Sequence, residues 1–178
     1  MYIIFMLMDN IHIIDDFLNE TELKIVSTSL EDYTWRYGHS SGMRELVNEK
    51  FFANYEKEDF YLKYIKEKIE FYAKMPFNID RFYRHVQTFG QNGSYHIDAI
   101  GSNKYTFCLY ITDLNDNEIE NAGGDFLIKI PDSKAIVSVA TKNNRGILFP
   151  SSLYHKGMAY NCGFNQKRTC ITWKFETL

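Results

Sequence analysis

Apolar positions recur along this chain with two different periods, and the change of period divides it. Between Glu58 and Tyr72, the residues Phe60, Tyr61, Tyr64, Ile65, Ile69 and Tyr72 stand three and four apart among lysines and glutamates. That spacing predicts an amphipathic helix. Another helix is predicted from Glu20 to Leu30, with Asn19 as a cap whose side chain accepts from first-turn N–H groups. A further helical stretch covers about Ser41 to Tyr55, and Ile11-His12-Ile13-Ile14 reads as a strand. From Ile79 on, the period shortens to that of strands, expected at about 79–89, 94–99, 104–112, 124–130, 135–141, 146–149, 152–157 and 167–176. Gly90-Gln91-Asn92-Gly93, Asn115-Asp116-Asn117, Pro131-Asp132, Asn143-Asn144 and Asn161-Cys162-Gly163 supply the turns. No helical pattern falls between these strands. The chain therefore reads as mainly β with flanking helices: a double-sheet jelly roll backed by N-terminal helices.

Length and composition narrow this picture. The 178 residues fit a single domain, with 1–78 as strand and helical support and 79–178 as the jelly-roll core. A hydrophobic fraction of 45% with only three prolines argues against disorder. The net charge of −3 gives no sign of a protein devoted to nucleic acid, which is not expected as a partner. Cys108, Cys162 and Cys170 suit neither a disulfide framework nor a four-cysteine zinc site, so a reducing, cytoplasmic setting is expected. The apolar Met1–Met8 lacks a basic flank and is far below the ~20 residues that span a bilayer. It reads as a buried strand, one that could pair across a dimer, and no membrane association is expected.

The candidate chemistry begins at His96-Ile97-Asp98. Side chains two apart on a strand point the same way, so this imidazole and carboxylate can hold one ion together. A surface histidine bonded to its neighbouring aspartate would show the same pattern. His155 follows the strand that ends at Phe149-Pro150, and with His96 and Asp98 it completes the ligand set of a non-haem Fe(II) facial triad. Arg168 heads an alternating strand, and its planar fork matches a carboxylate bidentately. With regular alternation Tyr83, His85, Gln87 and Phe89 share one face, expected to turn toward the pocket. His85, Gln87 and Phe89 are thus candidates for contact with substrate or co-substrate.

Taken in order, these residues resemble the Fe(II)- and 2-oxoglutarate-dependent dioxygenases, specifically their prolyl 4-hydroxylase-like branch. Ile13-Ile14-Asp15-Asp16-Phe17-Leu18 is similar to that branch's opening strand and helix, and Gly93 to Asp98 to its first ligand segment. Thr106 to Ile111 looks like its T-x-x-x-Y-L strand, and Gly123-Gly124-Asp125-Phe126 its G-G-[ED]-[LTF]. Phe149-Pro150-Ser151 with His155 looks like its F-x-S-x(n)-H, and Arg168 to Trp173 its R-x-[SA]-[IL]-T-x-W. Phe89 stands near the position of a common tyrosine, and Cys170 replaces a small residue, often hydroxyl-bearing, two after the arginine.

The resemblance implies a double-stranded β-helix fold and an oxygenase that couples oxidative decarboxylation of 2-oxoglutarate by O2 to hydroxylation of a C–H bond. It implies His96, Asp98 and His155 as iron ligands, Arg168 as partner of the C5 carboxylate, and Tyr110 and Thr172 as further co-substrate contacts. The implied substrate is a prolyl or other residue in a peptide or protein. A free amino acid, small molecule or nucleobase is the alternative, and an inactive jelly-roll binding module a third reading. The second arginine usual six residues on in nucleic-acid repair enzymes is Lys174 here. Met43 to Asn54 and the acidic Asp113 to Ala122 are the segments considered as a cover for the mouth. The acidity of the second would suit a basic or neutral peptide.

Overall fold

The computed structural model describes residues 10–41, 50–161, 163–164 and 166–178. The expected strand over Met1–Met8, Cys162, and the greater part of both the helix expected from Ser41 and the cover segment expected from Met43 lie outside them. In chain order the elements are β1 (His12–Ile14), α1 (Glu20–Asp32), β2 (Arg36–His39), β3 (Phe51–Asn54), a π-helical segment (Phe60–Ile65) running into α2 (Lys66–Ala73), β4 (Phe77–Gln87) and β5 (Lys104–Ile111). There follow α3 (Asp116–Ala122), β6 (Phe126–Lys129), β7 (Ile136–Val139), β8 (Arg145–Pro150), β9 (His155–Gly157) and β10 (Arg168–Thr177). No helix among the described residues is long and apolar enough to cross a membrane.

Among the described residues, seven strands form one antiparallel sheet in the order β1-β8-β5-β10-β4-β3-β2, and β7-β6-β9 form a smaller one facing it. The larger sheet is apolar on both faces, and the two-residue period decides which residue serves which. Phe107, Leu109, Ile171 and Trp173 pack with Tyr61, Ile65 and Ile69 of the helical layer. Their alternates Cys108, Tyr110 and Cys170 pack with Phe126, Ile128 and Phe149 between the sheets. The helical layer is fixed locally. Asn19 and Glu22 form a reciprocal capping box that starts α1. Tyr61, Ile65, Ile69 and Ala73 present a buried stripe with four-residue spacing.

Several expectations change. Phe51–Asn54, expected within a helix, is a strand of pattern buried–intermediate–buried–buried, paired with β4 through Ala53 and His85. Its partner β2 was not anticipated. A helix, α3, does fall between strands: Asn115 and Glu118 make a capping box of their own, and Leu114, Ile119 and Ala122 pack against Tyr160. The expected strand over 94–99 reduces to a single bridge between His96 and His155. Trp173 is fully buried on the helical side, where its indole N–H donates to the Tyr61 carbonyl at 3.1 Å. In the R-x-[SA]-[IL]-T-x-W pattern the tryptophan comes six after the arginine. That position is Lys174, on the opposite face.

Candidate metal and co-substrate site

The mouth between the sheets brings His96, Asp98 and His155 together, with one ligand atom from each lying within 4.8 Å of the others. Backbone pairing does the positioning. His96 and His155 exchange both N–H···O bonds at 3.0 Å, and the Asp98 N–H donates to the Ser151 carbonyl at 2.8 Å. A carbonyl only accepts, so the imidazole contacts His96 Nδ1 to Ser94 O (2.9 Å) and His155 Nδ1 to Leu153 O (2.8 Å) place each ring's proton on Nδ1. The lone pair of each Nε2 is then left to face Asp98, at 3.3 Å from His96 and 3.6 Å from His155. Such carbonyl contacts are how proteins fix the tautomer of a metal-binding histidine.

The charge states agree with that arrangement. Burial alone would raise the Asp98 carboxyl, but the ammonium of Lys174 beside it holds it well below the usual carboxylate range. Thr106 Oγ donates to Asp98 at 2.7 Å and Lys174 Nζ at 2.6 Å, which orients the carboxylate. Burial lowers His155 to about 4, so the ring is neutral near pH 7 and able to ligate.

Deeper in the same cavity lies Arg168, 1% exposed. Its Nε donates to the Gly124 carbonyl at 2.6 Å and its Nη1 to Gln87 Oε1 at 2.7 Å, while the guanidinium lies 4.8 Å from the Tyr110 ring centre. No carboxylate pairs with it among the described residues. Gln87 is itself held, its amide donating to the carbonyls of Gln91 (2.6 Å) and Gly157 (3.3 Å). Gly157 makes room for the fork, because a Cβ there would meet both terminal nitrogens at 2.9 Å.

The cavity is open to solvent and is lined by the triad, Arg168, Gln87, Tyr110, Thr172, Cys108, Cys170 and His85. Burial raises the Tyr110 phenol, which stays protonated and able to donate. His85 Nδ1 is buried with no hydrogen-bond partner. Phe89 does not join this lining: β4 ends at Gln87, alternation stops there, and the ring is 64% exposed. His39 and Cys108 of this lining, and Lys174 beside Asp98, were not anticipated. His39, on the unforeseen β2, stacks on His85 at 6.0 Å and bonds the Tyr55 hydroxyl at 2.7 Å. Cys108 and Lys174 share the two-residue period of Tyr110 and Arg168, a signal that extending the alternation would have exposed.

No protein-family model and no curated protein sequence matches the chain. Solved structures do match it over nearly its full length. An oxidoreductase of the 2OG-Fe(II) oxygenase family from Burkholderia pseudomallei aligns at a TM-score of 0.73 and 10% identity, covering 98% of this chain and 89% of that one. HygX from Streptomyces hygroscopicus, solved with nickel, 2-oxoglutarate and hygromycin B, aligns at 0.71 and 8%, covering 98% and 86%. A prolyl-4-hydroxylase from Pseudomonas putida aligns at 0.65 and 13%, covering 94% and 92%. The chain thus has the jelly-roll fold of the 2OG-Fe(II) oxygenases, prolyl hydroxylases among them.

Proposed function

We propose that this protein is an Fe(II)- and 2-oxoglutarate-dependent oxygenase that hydroxylates a C–H bond. The observation that carries the proposal is a buried arginine, with no carboxylate partner among the described residues, that shares one cavity with two histidines and an ionised aspartate. His96, Asp98 and His155 would hold the iron, leaving an open face. Bound iron supplies the activation of O2, and 2-oxoglutarate the electrons, released as it becomes succinate and CO2. The protein's own residues do the positioning. Arg168 offers its remaining donors to the C5 carboxylate, Gln87 and Gly124 aim its fork, and Tyr110 and Thr172 add hydroxyls along the same wall. Thr106 and Lys174 keep Asp98 oriented.

The favoured substrate is a prolyl or other residue in a peptide, on the strength of the motif order from His96 to Arg168. A small-molecule substrate is the second reading, favoured by Lys174, bound to Asp98, at the position where the prolyl hydroxylase-like pattern carries tryptophan. Anaerobic addition of Fe(II) and 2-oxoglutarate tests the chemistry: a weak visible charge-transfer band and aerobic conversion of 2-oxoglutarate to succinate are expected. Neither should survive in His96→Ala. A wild-type protein that shows no band and forms no succinate contradicts the proposal.

A further inference from the structure

Lys174 and Arg81 are direct cross-strand partners on β10 and β4. Like charges in that relation are destabilising. Both flank Tyr83, whose ring lines the metal cavity: the Arg81 guanidinium lies 5.4 Å from the ring centre and the Lys174 ammonium 5.8 Å. Lys174 spends one donor on Asp98. Arg81 is exposed and has no ion pair among the described residues, and Thr106, the neighbour of Lys174 on β5, is neutral. The acidic groups at this end of the sheet are already engaged, since Asp80 and Glu176 both bind Lys104, at 2.7 and 2.9 Å.

Among the described residues, Asp98 is the single acidic side chain lining the cavity. His39 is lowered to about 4, chiefly by burial and then by the charges of Arg81 and Lys174, so it is a neutral donor or acceptor at the mouth. In a loaded site a divalent ion and the 2-oxoglutarate dianion cancel, and Asp98 offsets Lys174. Arg168 and Arg81 remain in excess. Arg168 faces the co-substrate end, which leaves Arg81, with the spare donors of Lys174, facing whatever enters over Tyr83.

We infer that the substrate carries a carboxylate or phosphate near its reacting C–H bond, and that Arg81 and Lys174 receive this anion at the rim beside Tyr83. The inference rests on the oxygenase reading and narrows its substrate class. The acidity of Asp113 to Ala122 does not oppose it, because α3 packs against Tyr160 and contributes nothing to the cavity lining.

The test uses the intact protein, anaerobic with Fe(II) and 2-oxoglutarate, after the charge-transfer band has been recorded. Capped peptides Gly-Xaa-Pro-Xaa-Gly, with Xaa as glutamate, phosphoserine, glutamine or lysine, are titrated by calorimetry. The glutamate or phosphoserine peptide should bind about tenfold or more tightly than the glutamine and lysine peptides, and the tighter of the two tells carboxylate from phosphate. In Arg81→Glu, an exposed change, the band should persist while the order of glutamate and lysine reverses. Equal affinities, a preference for lysine, or no binding by any peptide to band-positive protein overturns the inference alone. Absence of the band in the wild type defeats the oxygenase reading beneath it.

Discussion

Arg84 and Arg168 stand on neighbouring strands of one sheet, 0% and 1% exposed, yet their surroundings are opposite. Arg84 points into the helical layer, where Nη1 donates to Asn54 Oδ1 and the Glu56 carbonyl at 3.0 Å each and Nη2 reaches Glu58 at 2.6 Å. The rings of Tyr33 and Tyr61 enclose it at 4.1 and 4.2 Å. Arg168 points the other way, into the cavity, and meets a carbonyl, an amide and a phenol ring but no carboxylate among the described residues. Burying a cation without a counter-ion costs several kcal/mol. The fold pairs one arginine with a carboxylate and leaves its neighbour without one among the described residues, which is the contrast the proposed binding role of Arg168 rests on.

Exchanging each arginine for methionine breaks the comparison most strongly. Arg84→Met should lower unfolding free energy by about 3 kcal/mol, because Asn54 and Glu58 lose their partner. Arg168→Met should change stability by no more than about 1 kcal/mol, since an apolar chain suits the site, yet weaken 2-oxoglutarate binding at least about 30-fold. Urea titration and calorimetry read the two effects separately. Equal stability losses would erase the distinction between the two sites.

Gly157→Ala sharpens it. The new Cβ would crowd the guanidinium of Arg168, a flexible end that can shift, so stability holds while the KM for 2-oxoglutarate rises on the order of 100-fold. Gln87→Leu removes one hydrogen bond that aims the fork and should raise that KM about tenfold, with metal affinity unchanged. The smallest effect is one of pH. His39 is lowered to about 4 in the fold, against an ordinary 6.5, so the unfolded chain takes up its proton first. Stability is therefore fully present above about 6.5 and declines as pH falls toward 4. His39→Gln should flatten part of that decline in urea midpoints measured across the window.

The strands of the core and the triad were legible because both rest on local signals. The two-residue period separates Tyr110 and Cys170 from Leu109 and Ile171, and the histidines and Asp98 carry chemistry that ordinary core residues lack. Phe51–Asn54 was misread because a short apolar run carries no period of its own and its pairing with β4 is a tertiary fact. α3 was missed because the Asn115–Glu118 cap lies in a stretch whose polarity suggests a turn. Phe89 was assigned to the pocket by extending an alternation past the point where β4 ends. Trp173 resembles the motif's tryptophan, although its odd offset from Arg168 sends it to the helical face and sets Lys174 on the face of Asp98. His39 had no signal at all, since nothing near it announces that β2 will fold beside His85.

The central claim is that the charge left open at Arg168 and the ligands left open at His96, Asp98 and His155 serve one bound pair, iron and 2-oxoglutarate. An anaerobic optical titration of Fe(II)-loaded protein with 2-oxoglutarate tests this most directly, run in parallel on wild type, His96→Ala and Arg168→Met. A saturable band in the wild type, none in His96→Ala, and one reached only at much higher 2-oxoglutarate in Arg168→Met is the predicted result. A wild type without the band, or an Arg168→Met titration that overlays the wild type, would contradict it.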